Sequence, residues 1–149
     1  MRAKLLIYGI GNPGREDDGL GYEFVARLGD SPLYEKRHAY QLNIEDAELF
    51  TKYEKILFVD AGKNLKTDFA VMEIVPKPES FFSTHGLNMQ AVLAMTAEIY
   101  QKRPVAQLLC IRAESFALNL ALTNRAQTSL NKSMHWFKEN LSEIVTLTH

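Results

Sequence analysis

The sequence predicts a single α/β domain built as a three-layer αβα sandwich, with a mostly parallel, twisted sheet of about five strands. Three observations carry this reading. Short apolar runs such as KLLIYGI (4–10), KILFVD (55–60) and AQLLCI (106–111) are nearly continuous, as strands buried on both faces should be. These runs alternate along the chain with stretches whose apolar residues recur at helical spacing, the pattern of parallel strands crossed over by helices. No internal repeat, low-complexity tract or interdomain linker interrupts the alternation, so residues 1–149 read as one domain.

Taken in order, Lys4 to Ile10 is the first strand. Gly11 to Asp18, with Pro13 and two glycines, is a turn-rich loop. From Gly19 to about Leu28 a helix presents Leu20, Phe24, Val25 and Leu28 on one face, and Gly29-Asp30-Ser31-Pro32 stops it. Arg37 to Leu42 is a weak strand, followed by a short acidic helix around Glu45 to Tyr53. Lys55 to Asp60 is a strong buried strand. Asp68 to Val75 is another, ended by Pro76 and Pro78. Residues 76–84 (PKPESFFST) form a loose loop leading to His85, which opens a helix to about Lys102 with Val92, Met95 and Ile99 inward. Ala106 to Ile111 is the next strand. The last helix runs from about Asn124 to Val145 with Leu130, Met134, Phe137, Leu141 and Val145 on one stripe.

Bulk properties narrow the function. A chain of 149 residues buries roughly 70 % of its unfolded surface and needs no staples. With 46 % hydrophobic and 23 % charged residues it has an ordinary globular composition. A formal net charge of −1 gives no electrostatic pull toward nucleic acid or an anionic membrane. The one cysteine, Cys110, rules out an intramolecular disulfide and a cysteine-based metal cluster. No run has the length of a membrane span, and the opening residues lack a signal-peptide pattern, so a cytoplasmic location is expected.

In an open parallel sheet, ligands sit beyond the carboxyl ends of the strands. Asp18 lies in the loop after the first strand, Asp60 ends KILFVD, and His85 opens the helix after the following loop. All three are therefore expected at one sheet edge, with Asp18 and Asp60 close together if the first and third strands are neighbours. Two carboxylates and an imidazole suit nickel, zinc, manganese or iron better than calcium. Three protein ligands leave coordination positions open for water or a substrate group. Each residue also has a plainer reading: Asp18 as an N-cap of the first helix, Asp60 as a turn residue before Ala-Gly, His85 as a loop or cap residue.

Gly9-Ile10-Gly11-Asn12-Pro13-Gly14 matches the dinucleotide pattern G-x-G-x-x-G, but Glu16, Asp17 and Asp18 stand where pyrophosphate would dock, and the helix starts too late. These glycines read as a tight turn below the crevice, and no cofactor-binding residues are assigned to them.

Four segments, GIGNPGREDDGLG, FVDAG, STHGL and RAESFALNLALT, occur in this order across nearly the whole chain. Together they resemble the family of hydrogenase maturation endopeptidases, whose fold is phosphorylase/hydrolase-like. The family motif G-N-x4-D-[DE]-G-x-G falls on Gly11-Asn12, Asp17-Asp18-Gly19 and Gly21. The resemblance implies that Asp18, Asp60 and His85 are the metal ligands. It also implies an aspartyl-type endopeptidase that recognises nickel already inserted into a hydrogenase large-subunit precursor and removes a short C-terminal extension. The nickel is then the substrate's, although another divalent metal is able to occupy the site in isolation. Catalytic roles are not separated among Asp18, Asp60 and His85. Water activation by the metal is the economical chemistry, with a carboxylate such as Glu16 or Glu45 as the alternative base.

The chain departs from the family at two places. The family's Gly-Thr turn after the second strand is replaced by Gln41-Leu42-Asn43-Ile44-Glu45-Asp46, which changes one crevice wall and adds Glu45 and Asp46 near it. The family's Gly-Leu-[ST] appears as Ala121-Leu122-Thr123.

Three rival readings follow. LIYGIGNPG also looks like the start of peptidyl-tRNA hydrolases, with Asn12 as the substrate-binding asparagine, but no histidine lies between Asn12 and His38. A non-catalytic nickel chaperone would use the same three ligands. A cysteine hydrolase would need Cys110, which sits mid-strand without an evident activating neighbour. His38, His135 and His149 are read as surface or packing residues, and Glu114-Ser115 as lining the crevice.

Overall fold

The computed structural model describes residues 5–77 and 88–146. Five strands, β1 (Leu5–Ile10), β2 (Tyr34–Ala39), β3 (Lys55–Gly62), β4 (Phe69–Ile74) and β5 (Val105–Arg112), form one sheet in the order β2-β1-β3-β5-β4. All neighbours are parallel except β4, which runs antiparallel to β5 at one edge. Four α-helices accompany them: α1 (Leu20–Arg27), α2 (Asp46–Leu49), α3 (Met89–Tyr100) and α4 (Asn124–Val145).

The three expected layers are present because the central strands alternate their burial between two cores. Leu5, Ile7, Leu57 and Val59 pack with Phe24 of α1 and with Leu130 and Phe137 of α4. Leu6, Tyr8, Ile56 and Phe58 pack with Ala47 of α2 and Val92 of α3. Residues 5–8 and 55–59 are all buried, which is why these strands read as continuous apolar runs rather than alternating ones. Edge-to-face aromatic contacts order both cores, Phe24 on Phe137 in one and Phe50 on Phe58 in the other.

Four expectations need correction. β2 begins at Tyr34, three residues before the expected Arg37, and ends at Ala39. It is an edge strand, so its register is set by pairing Leu5 with Tyr34, and its charged sequence carries no continuous apolar signal. Leu42, assigned to that strand, is instead buried in the α2-side core. Ile99 is 56 % exposed, because the buried stripe of α3 runs through Val92, Leu93, Thr96 and Ala97 and Ile99 stands about a quarter turn from its centre. The third helix starts at Met89, where the Asn88 side chain accepts from the Ala91 N–H at 2.8 Å. The expected start at His85 falls in residues 78–87, outside the described residues. The last helix matches its expected limits, with Thr123 as N-cap. No helix among the described residues is long and apolar enough to cross a membrane.

Candidate active site

The strand order reverses direction at β1: the chain leaves β1 for β2 on one side and then crosses to β3 on the other. A crevice opens between the carboxyl ends of β1 and β3 at such a switch point. Asp18 and Asp60 belong to the segments that flank it.

Asp18 is placed by a tightly wound loop. Gly11 has φ +134, a conformation L side chains rarely adopt, and a Cβ there would collide with the Asp18 carbonyl oxygen. Its N–H donates to Ala39 O at 3.0 Å and its carbonyl accepts from His38 Nε2 at 2.9 Å, which ties the loop to the end of β2. The Asn12 N–H then donates to Asp18 Oδ2 at 2.9 Å. Asp18 makes no capping bond to the first helix; Gly19 precedes α1 with no side-chain cap. The N-cap reading of Asp18 therefore fails, and its carboxylate turns back over the loop.

Helix α1 approaches the sheet closely because of Gly21. A Cβ at that position would lie 2.5 Å from Val59 O and 2.6 Å from Ile10 O, distances no real side chain tolerates. The motif's last glycine thus seats α1 against the ends of β1 and β3.

Asp60 ends the buried part of β3, paired in register with Cys110 of β5. Its Oδ1 accepts from the Ala61 N–H at 2.8 Å. Burial pushes its carboxyl up to about 7; the Ala61 hydrogen bond opposes this and the Asp18 charge adds to it. Neither carboxylate has an ion-pair partner among the described residues. A desolvated Asp60 carboxyl within reach of the Asp18 charge fits a divalent cation, which would relieve both the burial and the repulsion. His85 lies outside the described residues, and among those residues no group of three His, Cys, Asp or Glu is poised around one point. The structure thus brings Asp18 and Asp60 within electrostatic reach of each other.

Asp17 has a role that sequence reasoning missed. It is fully buried and accepts four hydrogen bonds: from Glu114 N at 2.7 Å, Ser115 N at 3.1 Å, Thr123 N at 2.8 Å and Thr123 Oγ1 at 2.8 Å. It therefore fastens the loop after β5 to the loop after β1. Glu16, with φ +43, accepts from Ser115 Oγ at 2.7 Å, and its N–H donates to Asn119 O at 2.7 Å. Ser115 is thus adjacent to the Asp18 loop, as expected, but its hydroxyl is engaged with Glu16. In an Asp-Asp-Gly sequence nothing local shows which carboxylate turns inward; the only signal was Thr123 standing just before a long helix.

Two residues on which rival chemistries depend are otherwise engaged or unactivated. Asn12 Oδ1 accepts from the Gly14 N–H at 2.8 Å, so its side-chain carbonyl is used in shaping the turn. Burial and the Asp60 charge both raise the Cys110 thiol, the opposite of what a nucleophile needs. His38 packs edge-on against Tyr22 and Tyr40, and exposed His135 pairs with Glu139 one helical turn on; both are the packing and surface roles expected. Asp46 is not a free acid at the crevice wall: it is buried on the α2 side, accepting from Tyr8 Oη at 2.9 Å and Asn43 N at 3.0 Å. Glu45 remains in a cleft of about 490 Å³ beside β2, with Arg37 and Asn43.

No protein-family model matches this chain. No curated protein matches it by sequence. Solved structures do match over nearly its full length. The hydrogenase maturating endopeptidase HybD from E. coli superposes with a TM-score of 0.78 at 19 % identity, covering 96 % of this chain and 93 % of that one. The [NiFe] hydrogenase maturation protease HycI from Thermococcus kodakarensis KOD1 gives 0.72 at 20 % identity, covering 95 % and 94 %. A hydrogenase 2 maturation peptidase from Thaumarchaeota archaeon SCGC_AB-539-E09 gives 0.65 at 17 % identity, covering 93 % and 97 %. The resemblance read from four short motifs is therefore matched by the whole backbone: this chain has the fold of the hydrogenase maturation endopeptidases.

Proposed function

We propose that this protein is a hydrogenase-maturation-type endopeptidase that removes the C-terminal extension of a nickel–iron hydrogenase large-subunit precursor after nickel insertion. Asp18, Asp60 and His85 bind the nickel held by the precursor, so the metal belongs to the substrate. The observation that carries this reading is the Asp18–Asp60 pair, two carboxylates with no ion-pair partner among the described residues, at the switch point of this fold. A cation presented there by a partner protein satisfies both acids at once, and its remaining coordination positions stay with the precursor's own ligands. Cleavage is thereby coupled to metal loading, because an empty precursor offers the two acids nothing to bind. The chain's own contribution is positional: Asn12 N–H fixes Asp18, Ala61 N–H fixes Asp60, and Gly21 lets α1 close one side of the crevice.

The test is incubation of purified protein with nickel-loaded and nickel-free precursor, followed by intact mass. Loss of a C-terminal peptide from the loaded form alone, abolished by Asp18→Ala or His85→Ala, is the expected result. Retention of the full precursor mass with nickel bound by the protein would favour a maturation chaperone instead. Release of an amino acid from blocked aminoacyl-tRNA would favour the esterase reading.

A further inference from the structure

Beside the candidate active site, the loop after β5 displays two leucines that no core among the described residues takes up. Leu118 and Leu120 are 83 % and 86 % exposed, the most exposed of the large hydrophobic residues among those described. Single exposed leucines need no explanation, but these are neighbours on a loop that is fixed on both sides. Asp17 holds its ends through Glu114, Ser115 and Thr123. Asn119, between the two leucines, exchanges backbone hydrogen bonds with the Asp18 loop, donating to Gly14 O at 3.1 Å while its carbonyl accepts from Glu16 N. The leucines are thus held outward by backbone that has already lost its freedom, which removes most of the ordering cost of burying them against a partner.

The surroundings define what that partner segment carries. Arg15, bridged to Asn119, is exposed and has no ion-pair partner among the described residues. Lys63 lies 4.7 Å from the centre of the Phe116 ring on the same loop. The acids on this rim are engaged, Glu114 with Arg112 at 3.6 Å and Glu16 accepting from Ser115 Oγ, so Arg15, with Lys63 nearby, complements an apolar segment with an adjacent carboxylate. The loop that carries Asp18 is also the loop that anchors Asn119, so the patch continues directly from the proposed site.

We infer that Leu118, Leu120 and Arg15 form a docking surface for an apolar, acid-flanked segment of the protein substrate, separate from the groups that bind its metal. This rests on the proposed peptidase reading. Docking here holds the precursor in register while its nickel enters the crevice. It supplies affinity that is the same before and during bond cleavage, so it acts on KM and leaves kcat alone.

The experiment is steady-state cleavage of nickel-loaded precursor by the full chain, read by intact mass, for wild type, Leu118→Ser/Leu120→Ser and Arg15→Glu. The double variant is expected to raise KM on the order of 10- to 100-fold, the loss of two partly buried leucines, with kcat within about twofold. Arg15→Glu raises KM less, and added salt narrows its difference from wild type. The melting temperature should stay at the wild-type value because both leucines are exposed; Leu120→Gln alone serves if the double variant melts early. An unchanged KM in an active enzyme overturns the docking surface and leaves the peptidase reading standing. Loss of self-association in the double variant with KM unchanged also overturns it, by making the patch an interface between copies of this chain. Failure of wild type to bind or cleave the precursor overturns both.

Discussion

Replacing Asp17 by alanine should be among the most damaging single changes in the molecule, although the residue is not proposed to touch substrate. The carboxylate is fully buried and accepts four hydrogen bonds from three residues, at 2.7 to 3.1 Å. Hydrogen bonds to a charged group contribute about 1.5–3 kcal/mol each, and donors left buried without an acceptor cost about 1–3 kcal/mol more. Water enters the vacated space and satisfies some of them, so the sum is well below four full bonds. A net loss of about 3–5 kcal/mol is the working figure. Against a total stability of about 5–15 kcal/mol, this lowers the melting temperature by roughly 10–15 °C for a chain of this size. Urea unfolding and thermal melting measure it directly. The loop holding Leu118 and Leu120 should also gain rapid amide exchange, since Asp17 fastens both of its ends. A melting temperature within about 3 °C of wild type would refute the argument, by showing that the hydrogen bonds are replaced by water without cost.

Three further changes probe other parts of the account. Tyr8→Phe removes the hydroxyl that donates to both oxygens of buried Asp46 and should cost about 1–3 kcal/mol by denaturant titration; a neutral result would mean the carboxylate is hydrated through the cleft beside β2. Gly21→Ala forces a Cβ to within 2.5 Å of Val59 O and should destabilise by about 1–3 kcal/mol or more while lowering activity, whereas full activity and stability would show that α1 shifts freely. For Asp68, hydrogen bonds from Lys132 and Ser129, with Arg125 nearby, hold the carboxyl below its usual value. A lowered folded-state value adds stability above the unfolded value of about 4 that is lost as pH falls below it. The stability gap between wild type and Asp68→Asn should therefore be constant at neutral pH and shrink below about pH 4 in acid titrations; a gap that widens in acid would contradict the assignment.

Much of the fold was legible because the central strands are buried on both faces. β1, β3 and β5 announce themselves as apolar runs, and α4, amphipathic over 22 residues with a threonine cap, was placed to its limits. β2 was displaced because an edge strand with the sequence YEKRHA has no apolar periodicity to read; its limits come from hydrogen bonding to β1. Asp60 was legible for a physical reason: an acid at the end of five buried residues is conspicuous. Asp18 was legible as part of a motif, but its geometry came from Gly11 and Asn12. Asp17 was illegible because its four donors lie about 100 positions away, in a loop whose sequence gives no sign of contact with the first turn. The same long-range closure explains why Leu118 and Leu120, unremarkable in sequence, become a fixed surface in three dimensions.

The proposed function turns on Asp18 and Asp60, with His85, binding the nickel of the precursor. X-ray absorption at the nickel edge tests it most directly, recorded on nickel-loaded precursor before and after stoichiometric addition of this protein. Complex formation should add oxygen and nitrogen neighbours around nickel, reduced in Asp18→Asn and in Asp60→Asn. An unchanged nickel environment while the C-terminal peptide is still released would contradict it, and would place recognition in protein contacts alone.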